Sequence, residues 1–489
     1  MFVWNGVVAA GNFALWCLYI CRKICYNNIV WNETDMIGSD VVSCLRLSLA
    51  AAVTALSVGL SGCTGFSFTV DGLLNAPKLT EEQGEIHEAL TAAVGGSVTL
   101  KYPRNGDNRS AFVIGNLDGE PGQEALVFYE YNTGAGSDNG IRVNLLDKDE
   151  NGKWFSVKEL AGAGTEVDRV IIAQMGEKNR YNVLVGYQSV TGSDCALEIY
   201  SCYDGDFKRV GTDTYSVLDT LDINYDGYRE IVTIQRQTNA ETNVTSAKAS
   251  LLDMSADNEL VRTEGIDMCS NVVNYVNTCS GLLNKQHEAI FIDGMNTDGN
   301  LQTEIVYYRY SSLQNPMQLS PQKLLPLCTR PSGYYSTDVD DDGIVEIPSV
   351  KPMTGYENAI TDEMVYMTTW NVYKDFFDLS EKYHGYYSIS NGYFFSFPNR
   401  WNDQVTVKRE LDMSELVFYK YSGDINSSNT EIMRIAAVSR KDSESYADDG
   451  YKLIASKGQL DYYVKLPEDK REQLILTIDE VKNNFFIVD

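Results

Sequence analysis

Residues 336–350 read STDVDDDGIVEIPSV. Four aspartates and a glutamate fall between positions 338 and 346, flanked by apolar residues. A second stretch, LDINYDGYREIVTI (221–234), repeats the arrangement. Each places acids or amides at positions 1, 3 and 5 of a loop, Gly at 6 and Glu at 9, then runs into Ile. Glycine at position 6 permits the sharp turn, because it has no Cβ to clash. Side chains at 1, 3 and 5 of such a turn converge on one point. Two carboxylates about 4 Å apart repel by roughly 4 kcal/mol at an effective dielectric near 20, so a convergent set calls for a cation. Calcium, a hard cation that takes six to eight oxygens, suits this donor set.

The expected calcium ligands are therefore Asp338, Asp340, Asp342, the Ile344 carbonyl and Glu346 in one loop. In the other they are Asp222, Asn224, Asp226, the Tyr228 carbonyl and Glu230. An EF-hand is excluded: position 12 is Ser349 or Thr233 instead of a bidentate Glu, and the flanks read as strands. Two looser copies exist. FIDGMNTDGNLQTEIVYY offers Asp293, Asn296, Asp298 and Glu304 as ligands; IGNLDGEPGQEALVFY carries Asn116, Asp118, Gly119 and Glu124. In both, Glu follows the Asp-Gly pair later than in the tight loops. VIIAQMGEKNRYNVLVGY (170–187) has the flanking strands without the acids and reads as a degenerate unit. The recurrence, with several short strands per unit, predicts a propeller-like array.

The Asp-x-Asp/Asn-x-Asp-Gly-x-x-Glu-Ile units resemble the FG-GAP/VCBS repeats of integrin-α-like β-propellers. The run from LKYPRNGDNRSAFVIGNLDG to DVDDDGIVEIPSV is also similar to VCBS-repeat lipoproteins of Gram-positive, Clostridia-like bacteria. The resemblance implies a propeller of five to seven blades with structural calcium in its loops, and implies no reaction.

The 489 residues exceed one ordinary core. A net charge of −28 repels phosphate backbones and excludes nucleic acid as a partner. RLSLAAAVTALSVGLSGCTG, from Arg46, joins a short apolar run to Leu60-Ser61-Gly62-Cys63, and resembles a lipoprotein signal peptide ending in a lipobox. That resemblance implies lipidation of Cys63 and attachment to the extracytoplasmic face of a bacterial membrane. Residues 1–35 carry a second apolar stretch, expected to be a misassigned upstream start or an extra apolar segment. Residues 36–62 are then the signal peptide, 63–84 a tether and the start of a helix, and 85–378 the propeller. Residues 379–489 read as a small α/β domain, an antiparallel sheet with a C-terminal helix, whose YFFSFPNRW faintly resembles a PsbP-like sandwich. Thr80 with Gln83, and Thr477 with Glu480, form capping-box patterns at the two helices.

Five cysteines follow Cys63, at 195, 202, 269, 279 and 328, without CxxC spacing, and read as free thiols. The three histidines lie in no catalytic motif, and no HExxH, GxSxG or P-loop occurs in a fitting context. No catalytic residue is expected. The combined expectation is a non-catalytic, membrane-anchored surface lipoprotein whose calcium-stabilised propeller binds or scaffolds a protein or glycan partner. The alternative is a cell-envelope hydrolase acting on glycan or peptidoglycan, which a deep pocket with two carboxylates would distinguish.

Overall fold

The computed structural model describes residues 79–489, apart from 132–139, 190–193, 204–205, 240, 242–244, 264, 361–362, 377, 410–414, 470 and 489. The described chain is mainly β, as its strand pattern predicts, with six antiparallel sheets and few helices. It opens with the helix Glu81–Val94, whose capping box joins Thr80 and Gln83 reciprocally. The helix ends on Gly95 at φ 71°, and buries Ile86 and Leu90 against Val127, Tyr129 and Trp154 of the first sheet.

Five sheets follow one another along the chain, their first and last strands being Val98–Leu100 to Trp154–Ala161, Val167–Gln174 to Lys208–Tyr215, Val217–Leu221 to Ile266–Asp267, Val272–Asn284 to Thr329–Pro331, and Ile347–Pro352 to Phe485–Ile487. Consecutive sheets share a core. Alternation along each strand makes this possible, because neighbouring side chains point to opposite faces. In the strand Glu230–Thr238, Ile231 packs with Leu184 and Ile199 of the second sheet, while Val232 and Ile234 pack with Ile290 and Val306 of the fourth. The first and second sheets meet through Phe128, Val143, Val185 and Tyr200, and the fourth and fifth through Phe291, Tyr307, Ile347 and Tyr373.

The inner elements of these sheets stand beside one another. Backbone N–H groups of Arg104 and Asn105 donate to Val167 and Asp168 carbonyls. Arg169 Nη1 donates to the Leu218 carbonyl, and Ser280 Oγ to Asp219. Leu282 forms a parallel bridge with Ile344. One strand of each sheet, beginning at Glu124, Tyr181, Glu230, His287 and Ile347, recurs at a spacing of 49–60 residues. The arrangement is propeller-like, and each sheet keeps its own two edges rather than joining one closed barrel.

The expected boundary at 378/379 falls inside the fifth sheet. There Tyr366–Tyr373 pairs with Leu379–Ser388, which pairs with Tyr393–Ser396, which in turn pairs with Phe485–Ile487. The predicted C-terminal helix is present as Ile478–Asn483 with its Thr477/Glu480 capping box, but the chain then returns as a strand. The sixth sheet, from Val405–Arg409 to Leu460–Lys465, packs on the fifth through Phe395, Trp401, Phe418 and Ile435.

Candidate metal centre and axial cavity

The two tight acidic loops have the same internal bonding. The position-1 carboxylate accepts two backbone N–H groups: Asp222 from Asp226 and Gly227, Asp338 from Asp342 and Gly343. Position 5 accepts from position 7, at 2.9 Å in both (Tyr228 to Asp226, Ile344 to Asp342). The buried Glu at position 9 accepts from the backbone of position 2: Ile223 to Glu230 at 3.1 Å, Val339 to Glu346 at 2.8 Å. Positions 4 and 6 are left-handed in each, Tyr225 and Gly227 at φ 65° and 94°, Asp341 and Gly343 at φ 58° and 85°.

What remains are the inward oxygens of positions 5 and 9, and here the loops part. In 222–230, Asn224 Nδ2 donates to Asp226 Oδ2 and Glu230 Oε1, both at 3.1 Å. Asp222, Asp226 and Glu230 each place an oxygen within 4.8 Å of the others. Burial, reinforced by Asp226, Asp253 and Asp222, pushes the Glu230 carboxyl up to about 8. The donor set is all oxygen once the Asn224 amide turns its carbonyl inward, and it fits a hard divalent cation.

In 338–346 a side chain already supplies the cation. Lys382 Nζ lies 2.8 Å from Asp340 Oδ1, 2.8 Å from Asp342 Oδ2 and 2.7 Å from Glu346 Oε1. Asp340 also accepts from the Tyr383 hydroxyl at 2.8 Å. Burial raises the Glu346 carboxyl to about 7 against the pull of Lys382. For Asp342, burial is outweighed by Lys382 and the Ile344 amide, and its carboxyl is held down. Of the expected calcium ligands Asp338, Asp340, Asp342, Ile344 and Glu346, the carboxylates of Asp338, Asp340 and Glu346 converge within 4.8 Å, and the Lys382 ammonium sits on Asp340, Asp342 and Glu346.

The residues of 293–304 do not converge. Asp293 and Thr303 are partners across a hairpin, with Glu304 opposite Ile292, so Asp293 and Glu304 point to opposite faces. Asp293 is fully buried and paired with fully buried Arg330 at 2.8 Å. Asn296 accepts from Asp298 and Asn300 backbone in the turn, and Asp298 is exposed. Glu304 accepts from the Cys269 backbone and from Asn315 Nδ2. This hairpin joins the second and third strands of its sheet, whereas the two tight loops lead into the strands that begin at Glu230 and Ile347.

The 116–124 copy is closer to the tight loops than its Asp-Gly pair suggests. Glu124 accepts from the Leu117 backbone at 2.7 Å, the same seven-residue reach as Glu230 and Glu346. Counting back from Glu124 makes Asn116 position 1, Asp118 position 3 and Gly119 position 4, where φ is 83°. Despite its later Glu, the loop is therefore no longer than the tight ones: the glycine has moved from position 6 to position 4.

The inner elements enclose a cavity of about 560 Å³ lined by Asp107, Asn108, Arg169, Asp219, Thr220, Arg229 and Thr278, among others. Sequence reasoning missed it, because its residues come from four sheets and no local motif joins them. The inner position of Asp219, flanked by Leu218 and Thr220 in a short strand, was the available signal. Asp168, just behind, is buried; its carboxyl is nonetheless held below the usual range by the Tyr215 hydroxyl, Asn105 and Arg169. Among the described residues the five cysteines after Cys63 are free, as expected. Cys63 and the signal-peptide region lie outside the described residues.

No family model matches the chain, and no curated protein does; the FG-GAP/VCBS and lipoprotein resemblances stand without that support. Among solved structures it is similar to a thermostable family-43 glycoside hydrolase (TM-score 0.26, 10% identity, 58% of this chain and 96% of that one). It is also similar to the rhamnogalacturonan lyase YesW (TM-score 0.28, 10% identity, 68% and 77%) and to the exotype rhamnogalacturonan lyase YesX (TM-score 0.27, 8% identity, 68% and 73%). These neighbours are named as glycan-acting enzymes. The expectations of a non-catalytic binding module and of no enzymatic activity run against these neighbours and are not carried further.

Proposed function

We propose that the chain is a glycan-acting hydrolase of the bacterial cell envelope, working in the axial cavity of a five-bladed propeller. The single observation that carries this reading is that Asp107 and Asp219 share that cavity with Arg169 and Arg229. Hydrolysis of a glycosidic bond needs one carboxyl group to protonate the leaving oxygen and a second to attack or to activate water. Ser280 and the Thr220 backbone hold Asp219 in place. Arg169 and Arg229 are anchored on the Leu218 and Thr220 carbonyls. A cavity of this size lies within the roughly 300–1,000 Å³ of small-ligand sites.

The rest of the reading follows the sequence. The lipobox-like ending at Cys63 would tether the enzyme to the outer face of the membrane. Calcium bound at Asp222, Asn224, Asp226 and Glu230 would join the third sheet's first two strands and serve the fold, not the reaction.

The test is release of reducing ends from peptidoglycan and from rhamnogalacturonan by the purified protein, its Asp219→Asn and its Asp107→Asn variants. Removing one of two essential carboxylates is expected to cost on the order of 10²–10⁴ in rate, the usual worth of general acid–base catalysis, with the melting temperature little changed. Equal activity in wild type and both variants would remove the axial cavity from the reaction. No release from either polymer would remove the hydrolase.

A further inference from the structure

A second cavity, of about 320 Å³, lies where the fifth sheet meets the sixth. Its walls include Tyr334, Tyr386, Tyr387, Tyr393, Arg409 and Glu415. Three of the tyrosines are almost fully buried, with Tyr334 7%, Tyr386 5% and Tyr393 2% exposed. Buried phenols normally spend their hydroxyls on protein partners. Tyr334 does not: among the described residues its hydroxyl meets no hydrogen-bond partner, although the side chain lines the cavity. Its backbone is fixed, because the buried Arg330 guanidinium grips the Tyr334 carbonyl at 2.5 Å.

Arg409 and Tyr386 bring further donors to this wall. Arg409 Nε donates to the Tyr386 hydroxyl at 3.2 Å, which leaves the Tyr386 proton free to point onward. Among the described residues Arg409 pairs with no carboxylate. The acid in the wall, Glu415, is already satisfied: Arg434 Nη1 holds one oxygen at 2.6 Å and the Tyr451 hydroxyl holds the other at 2.7 Å. Burial, reinforced by the neighbouring phenols, keeps Tyr334 and Tyr393 protonated, so both remain donors. The result is a pocket with an uncommitted cation, an uncommitted phenol, and the ring of Tyr387 and the side chains of Ile389 and Leu416 beside them.

We propose that this pocket binds the carboxylate of an acidic sugar, with Arg409 and the Tyr334 hydroxyl holding the carboxylate and the apolar wall covering the ring. A guanidinium binds a carboxylate through paired N–H groups, and a buried phenol adds a directed donor. The pocket is built from Tyr334, the end of the Leu379–Ser388 strand and, in the sixth sheet, the end of Val405–Arg409 and the start of Glu415–Lys420, so it is separate from the axial cavity. The anion half of the proposal stands on this geometry alone. The sugar half rests on the glycan reading above, for which the pocket would act as a second holding point along an acidic chain.

The experiment is calorimetric titration of the purified protein with glucuronate, galacturonate, galactose and acetate. Uronate binding is expected, with galactose and acetate at least tenfold weaker. Tyr334→Phe, which keeps the ring and removes a hydroxyl that stabilises nothing in the fold, is expected to weaken uronate binding several-fold. Arg409→Met is expected to weaken it at least tenfold. Asp219→Asn is expected to leave it unchanged, so that failure of the axial site and failure of this one are read separately. Galactose binding as tightly as a uronate would overturn the carboxylate contact. Acetate binding as tightly would overturn the sugar. Undiminished uronate binding in both Tyr334→Phe and Arg409→Met, or none in wild type, would overturn the site.

Discussion

Lys382 Nζ lies 2.7 Å from Glu346 Oε1, and the equivalent oxygen of the sister loop, Glu230 Oε1, meets the amide of Asn224 at 3.1 Å instead. Two loops with one backbone design thus neutralise their acids differently. Lys382→Met should expose that difference. It leaves Glu346 fully buried beside Asp340 and Asp342 without a counter-charge, and breaking such a pair typically costs about 3–5 kcal/mol. Urea unfolding with and without calcium is the measurement. The expected result is a large loss in chelator that calcium largely restores, because the vacated point becomes a divalent site. A loss that calcium does not touch would show that the loop cannot adopt a metal geometry.

The loop at 222–230 is expected to give the wild-type protein its response to calcium. A ligand that binds only the folded state adds about 2.7 kcal/mol at a hundredfold excess over its Kd. Melting temperature should rise with calcium, and Asp226→Ala should abolish the rise. Asp340→Ala should leave the rise in place, since Asp340 serves Lys382. Loss of the calcium response in Asp340→Ala, with retention in Asp226→Ala, would reverse the assignment.

Much of the fold was legible because it is written locally. Both capping boxes, the short strands and the turns at Gly227 and Gly343 depend on residues within nine positions of each other. The fate of the acids was not legible, because their partners are distant. Lys382 lies 36 residues after Glu346, and Arg330 lies 37 after Asp293. Neither pairing leaves a spacing signature. The 116–124 loop was misaligned for a related reason. Asp-Gly is a conspicuous dipeptide, but the fixed point of the loop is its buried Glu, whose bond to position 2 sets the length. The acidic loops end before the expected boundary at 378/379, but strand pairing, which no local motif marks, carries the fifth sheet across it to Phe485–Ile487.

Gly119 reports on the contact between the first two sheets. At φ 83° a Cβ is strained, and it would stand 2.3 Å from the Asn179 carbonyl oxygen in the turn of the second sheet. That obstacle is backbone and cannot swing aside. Gly119→Ala should destabilise by about 1–3 kcal/mol, the usual cost of a strained backbone position or an overpacked contact. Gly227→Ala has a similar φ, 94°, with nothing within 4 Å of the added Cβ, and should cost less. Chemical denaturation of the two variants side by side separates the steric part from the backbone part. Equal losses would mean that the sheets shift apart freely at Asn179.

The Asp293–Arg330 pair sets an acid limit on the fold. Burial works against the Asp293 charge, but Arg330, Thr303, the Ser336 backbone and Asn277 outweigh it, and the carboxyl is held below its ordinary value of 3.8. The folded state therefore gives up this proton more readily than the unfolded chain. Its stabilising contribution is complete above the unfolded value and is lost as pH falls through the folded one. Asp293→Asn keeps the shape but leaves the fully buried Arg330 without its carboxylate, a change worth about 3–5 kcal/mol. Unfolding free energies of wild type and variant at pH 7 should differ by that amount, and the gap should narrow below pH 4 as wild-type Asp293 takes up its proton. Arg330→Met in the Asp293→Asn background should recover part of the loss, since the unpaired cation is then gone. A gap of the same size at pH 3 and pH 7 would mean that the carboxylate charge contributes nothing, and that the loss comes from packing and from the hydrogen bonds of Thr303 and Ser336 alone.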